Sequence, residues 1–318
     1  MSRILITGGA GFIGTNLVTE LMKRNHQISI IDDLSTGLIQ NIPTDNVNFF
    51  NGSIADENLV EMAMTDVDAV VHLAARGSVP RSIVNPKATF EVNVNGTQNI
   101  LEMVRKIGCK YIFSSSSSVY GLNDKLPKIE KMWMQPLTPY AASKLAGEAL
   151  SLAYGKTYNL RTMVFRLFNV FGPNQRPDHQ YSAVIPKWIW AAQNGLPLRI
   201  HGDGNQTRDF TYVKSVVDVI VETLEGDYYS DTPINLAYGN RISLNYLIEK
   251  IKEFYPDLSI VKDMVRAGDV KDSKNDPKLI NELFSELSPS NFDESLRETI
   301  LWLANYGKQI SGGPDIKD

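Results

Sequence analysis

Thr7-Gly8-Gly9-Ala10-Gly11-Phe12-Ile13-Gly14 follows a short apolar run and opens a helical pattern. The run, Arg3–Thr7, reads as a strand, and Phe12, Ile13, Leu17, Val18, Leu21 and Met22 recur at helical spacing. Gly8, Gly11 and Gly14 are spaced G-x-x-G-x-x-G. Glycines here allow a tight turn and let backbone N–H groups reach a pyrophosphate at the helix start, beside Phe12 and Ile13. The next strand, Gln27–Ile31, runs into Asp32. A carboxylate at that strand end takes both hydroxyls of an adenosine ribose and repels a 2′-phosphate. No lysine or arginine lies between Arg24 and Arg76 to offset it. The expected cofactor is NAD rather than NADP.

The pattern continues outward from this turn. Val47–Asn51, Ala69–Leu73, Tyr111–Ser115 and Arg161–Phe165 read as further apolar strands, and Thr89–Ile107 and Ala141–Tyr158 as helices. Strands alternating with helices predict an α/β fold, a Rossmann-type doubly wound parallel sheet. After Gly172 the texture changes: Pro173, Pro177, Pro186 and Pro197 fall among polar residues. Helices are expected at Ala183–Asn194, Ser215–Glu225, Ser243–Phe254 and Asp293–Tyr306. This division gives an NAD-binding domain over residues 1–172. A smaller C-terminal α/β substrate-binding region follows over 173–318, with some crossing of segments. Ser311–Asp318 is expected to fray.

The 318 residues are 43% hydrophobic and 21% charged, with a formal net charge of −4. That balance is ordinary for a soluble globular protein and gives no general basic surface for nucleic acid. The lone cysteine, Cys109, excludes an internal disulfide framework and a cysteine-built metal site. The opening residues lack the apolar stretch of a secretion signal, and no apolar run spans a bilayer, so a cytoplasmic location is the expectation, with no membrane and no metal.

Tyr140 and Lys144 stand four apart at the start of a helix whose first turn holds Pro139. They share a face. An ammonium near a phenol favours phenolate, so the Tyr140 pKa is expected to fall toward working pH. Lys144 is also placed to bond a nicotinamide ribose. Tyr140 then serves as general acid/base toward a substrate hydroxyl, with Ser116 at the preceding strand end bonding the same oxygen.

With these residues in view, the chain resembles the extended short-chain dehydrogenase/reductase family, in particular nucleotide-sugar 4-epimerases. The resemblance runs from Thr7–Gly14 to Arg266-Ala267-Gly268-Asp269-Val270. Between them stand His72-Leu73-Ala74-Ala75, Asn93-Val94-Asn95-Gly96-Thr97, Ser114–Gly121, Pro139–Lys144, Arg166–Gly172, Gly202-Asp203-Gly204 and Arg208-Asp209-Phe210. It implies a catalytic hydroxyl at Ser116 and cofactor contacts from Ser53, Ile54, Ala74 and Asn93. It implies diphosphate contacts from Asn169, Arg208 and Arg266, arginine being suited to phosphate by its planar fork. Gly77, Ser78, Ser117, Ser118, Gln175, Ala183, Val184 and Asp269 complete the implied substrate site. Ser53 departs from the family's usual aspartate at the adenine.

Relatives that dehydrate or decarboxylate carry an acid before Val-Tyr-Gly; this chain has Ser116-Ser117-Ser118. Elimination then lacks its proton-transfer pair. The resemblance therefore implies 4-epimerisation of a UDP-sugar through a 4-keto sugar, with NAD regenerated each cycle. Ser273 stands at the family's gate position, where a tyrosine crowds an N-acetyl group. The implied substrates are UDP-GlcNAc and UDP-GalNAc or their uronic acids. Promiscuity toward UDP-glucose and UDP-galactose, and dehydratase or decarboxylase activity, are the alternatives. Relatives pair helices matching Thr89–Ile107 and Ala141–Tyr158, which implies a homodimer.

Overall fold

The computed structural model describes residues 1–43, 46–178, 182–264 and 272–309. Seven parallel strands form its central sheet. Six are β1 (Arg3–Thr7), β2 (Gln27–Asp32), β3 (Val47–Asn51), β4 (Ala69–His72), β5 (Lys110–Ser116) and β6 (Thr162–Leu167). The seventh, Ile234–Leu236, pairs with β6 at the edge. The spatial order is Ile234–Leu236, β6, β5, β4, β1, β2, β3. The order reverses between β1 and β4, and the crevice above that point is where such sheets bind ligands.

The inner strands are buried on both faces, and their side chains alternate between two cores, while the edge strand β3 is only partly covered. Ile4 and Ile6 of β1 join one core with Ile28, Ile30, Val71 and Ile112. Leu5 joins the other with Ile31, Val70, Tyr111 and Phe113. The first core is covered by α1 (Phe12–Lys23), through Leu17, Val18 and Leu21. The second is covered by α2 (Glu57–Ala63) and α5 (Thr97–Ile107), through Val60, Ile100, Leu101 and Val104. Each such aliphatic side chain contributes about 1.5–3 kcal/mol on burial.

α3 (Val79–Val84) and α4 (Pro86–Phe90) precede α5, and α6 (Pro139–Tyr158) packs against β5 and β6. The expected single helix over Thr89–Ile107 is broken into pieces. Between α4 and α5 the chain takes wider π-type turns over Glu91–Gly96. Such turns collect at functional sites, and this one seats the buried Asn93 against Arg76 and Ser143.

Beyond residue 172 lie α7 (Val184–Gln193) and α8 (Val213–Glu225). α8 returns to the sheet and packs on α1 through Val213, Val216, Val217 and Ile220. Lys110 of β5 ties it there, its Nζ donating to the carbonyls of Thr223, Leu224 and Gly226 at the helix end. Among the described residues no helix is long and apolar enough to cross a membrane.

Candidate active site

The glycine turn sits over the switch point. Gly8 has φ +73°, and a Cβ there would meet the Ala74 backbone at 2.8 Å. A Cβ on Gly14 would lie 2.3 Å from the Gly8 carbonyl. These two positions need glycine for backbone packing. Gly11 is the N-cap of α1 and makes no side-chain cap, so no side chain screens the first N–H groups of the helix. They face a cleft lined by Gly8, Gly11, Phe12, Ile13, Gly14, Asp32, Ser53, Ile54 and Ala74. Asp32 accepts from Ala10 N and Leu34 N, each at 2.9 Å. Burial pushes its carboxyl up, against those N–H bonds. An uncovered helix start and a carboxylate at the β2 end fit the pyrophosphate and ribose of NAD.

Ser53 Oγ accepts from Ala55 N at 3.2 Å and shapes the turn after β3. Asn93 stands apart from the cleft. It is 2% exposed. Its Oδ1 accepts from Arg76 N and its Nδ2 donates to Ser143 Oγ, so it holds the loop after β4 against α6.

A second chamber adjoins the cleft and shares Phe12, Ile13, Thr36, Leu73, Ala75 and Ser114 with it. Ser116, Tyr140, Lys144, Gly77, Ser78, Asn169, Gln175 and Ala183 line this chamber. β5 delivers Ser116 at its last residue, and α6 delivers Tyr140 and Lys144 from its first turns. Thr138 caps that helix, accepting from Ala141 N. Two wall residues have strained backbones: Ser78 at φ +142° and Asn169 at φ +36°. Strain of this kind collects at ligand sites.

The expected fall of the Tyr140 pKa is not found. Burial pushes the phenol up, against the hydrogen bond that joins it to Ser116. Burial also pushes the Lys144 ammonium down, to about 8. Lys144 Nζ donates to the Ser114 carbonyl at 2.8 Å, so its charge is directed to the strand. In this chain the serine, more than the lysine, opposes the burial of Tyr140.

A third chamber opens from Asn169 and Ala183 toward Val184, Lys187, Trp188, Arg199, His201, Arg208 and Phe210. Asp263 is its one lining carboxylate among the described residues, and Arg199 pairs with it at 3.2 Å. Lys187 and Arg208 add positive charge, and Trp188 and Phe210 add flat apolar surface. That combination suits a nucleoside diphosphate.

Several expected site residues lie elsewhere. Ser117 and Ser118 form a 3₁₀ turn, Ser117–Tyr120, and line none of the three chambers. Ser273 is not on the chamber walls either; its N–H donates to Thr207 O at 3.1 Å, beside the bridge joining Thr207 to Asp272. That bond pairs it with the strand that carries Arg208. Arg266 and Asp269 lie outside the described residues. Arg81 and Arg176 line the second chamber without having been singled out. Nor had the buried pair Glu148–Arg166, in which Glu148 Oε2 accepts from Ser115 Oγ at 2.7 Å and from Arg166 Nε at 3.0 Å. Single polar residues carry no spacing signal of their own.

A dinucleotide cleft at the switch point, meeting a tyrosine and serine beneath a chamber suited to a nucleoside diphosphate, defines an NAD-dependent enzyme of the Rossmann class. The chain belongs to the NAD dependent epimerase/dehydratase family, whose model matches residues 4–237. It is 35% identical to a putative UDP-glucose 4-epimerase of Methanocaldococcus jannaschii, over 96% of this chain and 99% of that one. It is 32% identical to UDP-glucuronic acid decarboxylase 1 of Xenopus tropicalis, over 79% of this chain and 60% of that one. A solved UDP-N-acetylglucosamine 4-epimerase of Methanobrevibacter ruminantium, in complex with UDP-N-acetylmuramic acid, superimposes with a TM-score of 0.90. It shares 35% identity over 96% of this chain and 99% of that one.

Proposed function

We propose that this protein is a UDP-hexose 4-epimerase that prefers N-acetylated sugars such as UDP-GlcNAc and UDP-GalNAc. One observation carries the reading: among the described residues, no aspartate or glutamate lines the chamber that holds Ser116, Tyr140 and Lys144. Elimination and decarboxylation in this family need a second proton-transfer group, and the residues before Val119-Tyr120-Gly121 in this sequence are serines. Without a second proton-transfer group, the chemistry supported is removal and return of one proton at one hydroxyl.

Tyr140 Oη takes the proton from the C4 hydroxyl and gives it back, with Ser116 Oγ bonded to it throughout. The α1 start and Asp32 would hold NAD, which would accept the C4 hydride as the hydroxyl proton leaves and return it to the opposite face of the same carbon. Lys144 fixes α6 to β5. Arg208, Lys187 and Asn169 orient the diphosphate so that either face of C4 is presented. The wall at Gly77 is compatible with that choice: a Cβ there would meet nothing within 4 Å, so nothing crowds the chamber at that point. The homodimer belongs to the same reading; Phe90, Ile107 and Tyr158 leave apolar surface exposed on α4, α5 and α6.

The test is to offer the purified protein UDP-GlcNAc, UDP-GalNAc, UDP-glucose, UDP-galactose and the corresponding uronic acids, reading products by mass and proton NMR. Interconversion of C4 epimers at constant mass is the expected result, fastest for the N-acetylated pair. Loss of water or carbon dioxide overturns the reading in favour of a lyase.

A further inference from the structure

The strap Pro173–Asp178 supplies Asn174, Gln175 and Arg176 to the wall of the chamber next to the dinucleotide cleft, and its contacts reach beyond that wall. Its near end is held by α1. Asn16 Nδ2 donates to Pro173 O at 3.0 Å, and Asn174 Nδ2 donates to Asn16 Oδ1 at 3.4 Å. Its far end reaches the loop after β2, where Arg176 Nη1 donates to Thr36 O at 3.4 Å. Asp178 holds that guanidinium in plane, accepting from Nε at 3.0 Å and from Nη2 at 2.7 Å.

The loop after β2 is itself fixed to the glycine turn. Leu38 N donates to Ala10 O at 3.1 Å. Gly37 lies so close that a Cβ would come within 2.8 Å of Ala10 Cβ. The contacts therefore close a ring: glycine turn, loop after β2, Thr36, Arg176, strap, Asn16 and α1. This ring borders the first turn of α1, where the pyrophosphate of NAD fits. Thr36 lines both the dinucleotide cleft and the neighbouring chamber. Arg176 is absent from the nucleoside-diphosphate chamber.

We propose that Arg176 latches the strap 173–178 to the loop after β2 and thereby sets how slowly NAD leaves the protein. The latch deepens the proposed function by supplying the retention that a cofactor regenerated each cycle needs. It rests on NAD binding and not on which sugar is turned over. One contact is long and side-chain based, so it can open without unfolding either element. The cost of opening is that of one charge-assisted hydrogen bond, and residence time follows it.

The experiment exchanges radiolabelled NAD out of the loaded protein into excess unlabelled NAD, separating free from bound on desalting columns. R176A, which frees the far end, and N16A, which frees the near end, are each expected to release NAD about tenfold faster than the parent, the size of one lost hydrogen bond. R176K is expected to release faster as well, since an ammonium has no planar fork to hold Asp178 and Thr36 together. Equal release rates in parent and variants overturn the latch. So does faster release of bound UDP with NAD release unchanged. Failure of both R176A and N16A to fold also overturns it, because a latch is dispensable for folding. If the protein turns out not to epimerise UDP-sugars, the NAD release rates still stand as measured, so the two readings fail separately.

Discussion

Lys144 Nζ donates to the main-chain carbonyl of Ser114 at 2.8 Å. Ser114 and Ser116 lie two apart on β5, on the same side of the strand. The bond therefore fixes the first turns of α6 to the strand end that carries the catalytic hydroxyl. Tyr140, one helical turn earlier, is held over Ser116 as a result. The lysine acts here as a strut between strand and helix, and its charge is spent on a carbonyl and not on the phenol.

Tyr140→Phe is expected to lower kcat by about 10²–10⁴, the range for losing a positioned acid/base. It should leave NAD bound, since the glycine turn and Asp32 are untouched. Ser116→Ala should cost less, and it should shift the alkaline rise of the rate to higher pH. The sign follows from the structure: the serine hydrogen bond works against the burial that raises the phenol pKa, so removing it raises that pKa further. Rate–pH profiles of the two proteins check this; an unshifted profile for Ser116→Ala contradicts it.

Lys144→Met is expected to stabilise the fold while removing activity. Burial holds the Lys144 pKa at about 8, below its ordinary value, so below pH 8 the folded protein carries a charge it would shed more readily than the unfolded chain. That burden is eased as pH rises from about 8 toward 10.5. The variant should gain about 1–3 kcal/mol at pH 7, and the gain should shrink at pH 10. Thermal melts at both pH values, at matched NAD occupancy, give the answer; a less stable variant at pH 7 rules the account out.

Acid sensitivity is expected from His72. It is fully buried, shares a 2.6 Å hydrogen bond with Thr7 Oγ1 and a 2.9 Å one with Thr97 Oγ1, and has its pKa pushed down to about 3 by burial and by Lys144. The unfolded chain takes up a proton near pH 6.5 that the folded protein refuses. Stability is thus lost as pH falls from about 6.5 toward 3, at up to about 1.4 kcal/mol per pH unit from this group. In His72→Asn the slope of melting temperature against pH over that window should flatten. An unchanged slope assigns the acid sensitivity to other groups.

The glycine turn, the Asp32 strand end and six strands could be read in the sequence because each leaves a local pattern. A parallel strand buried on both faces is a continuous apolar run, and glycines at fixed spacing announce a turn. What escaped has no such pattern. α2 is seven residues long and Ile234–Leu236 only three, too short for periodicity. The π turns over Glu91–Gly96 look like ordinary helix, because the bonds of Asn93 that accompany them reach Arg76 and Ser143, far off in sequence. The pairing of Ser273 with Thr207 depends on how Thr207 and Asp272 are bridged, which only the fold reveals. The Tyr140 pKa was misjudged for the same reason: spacing shows that Lys144 shares a face with it, and not that a carbonyl claims the ammonium first.

Gly14→Ala and Gly11→Ala separate the packing role of these glycines from their ligand role. A methyl at Gly14 would sit 2.3 Å from the Gly8 carbonyl and 2.6 Å from Gly9 Cα, all backbone, so the turn itself must move. At Gly11 its nearest neighbour is the Gly8 carbonyl at 3.2 Å, which a small shift accommodates. Gly14→Ala should therefore lower stability even with NAD removed, by about 1–3 kcal/mol for an overpacked site. Gly11→Ala should leave the stripped protein close to the parent. It should weaken NAD by tenfold or so, as expected when a methyl intrudes where backbone must approach pyrophosphate. Melting of stripped protein and NAD titration, run on both variants, decide the matter; equal behaviour of the two alanines in either measurement contradicts the assignment.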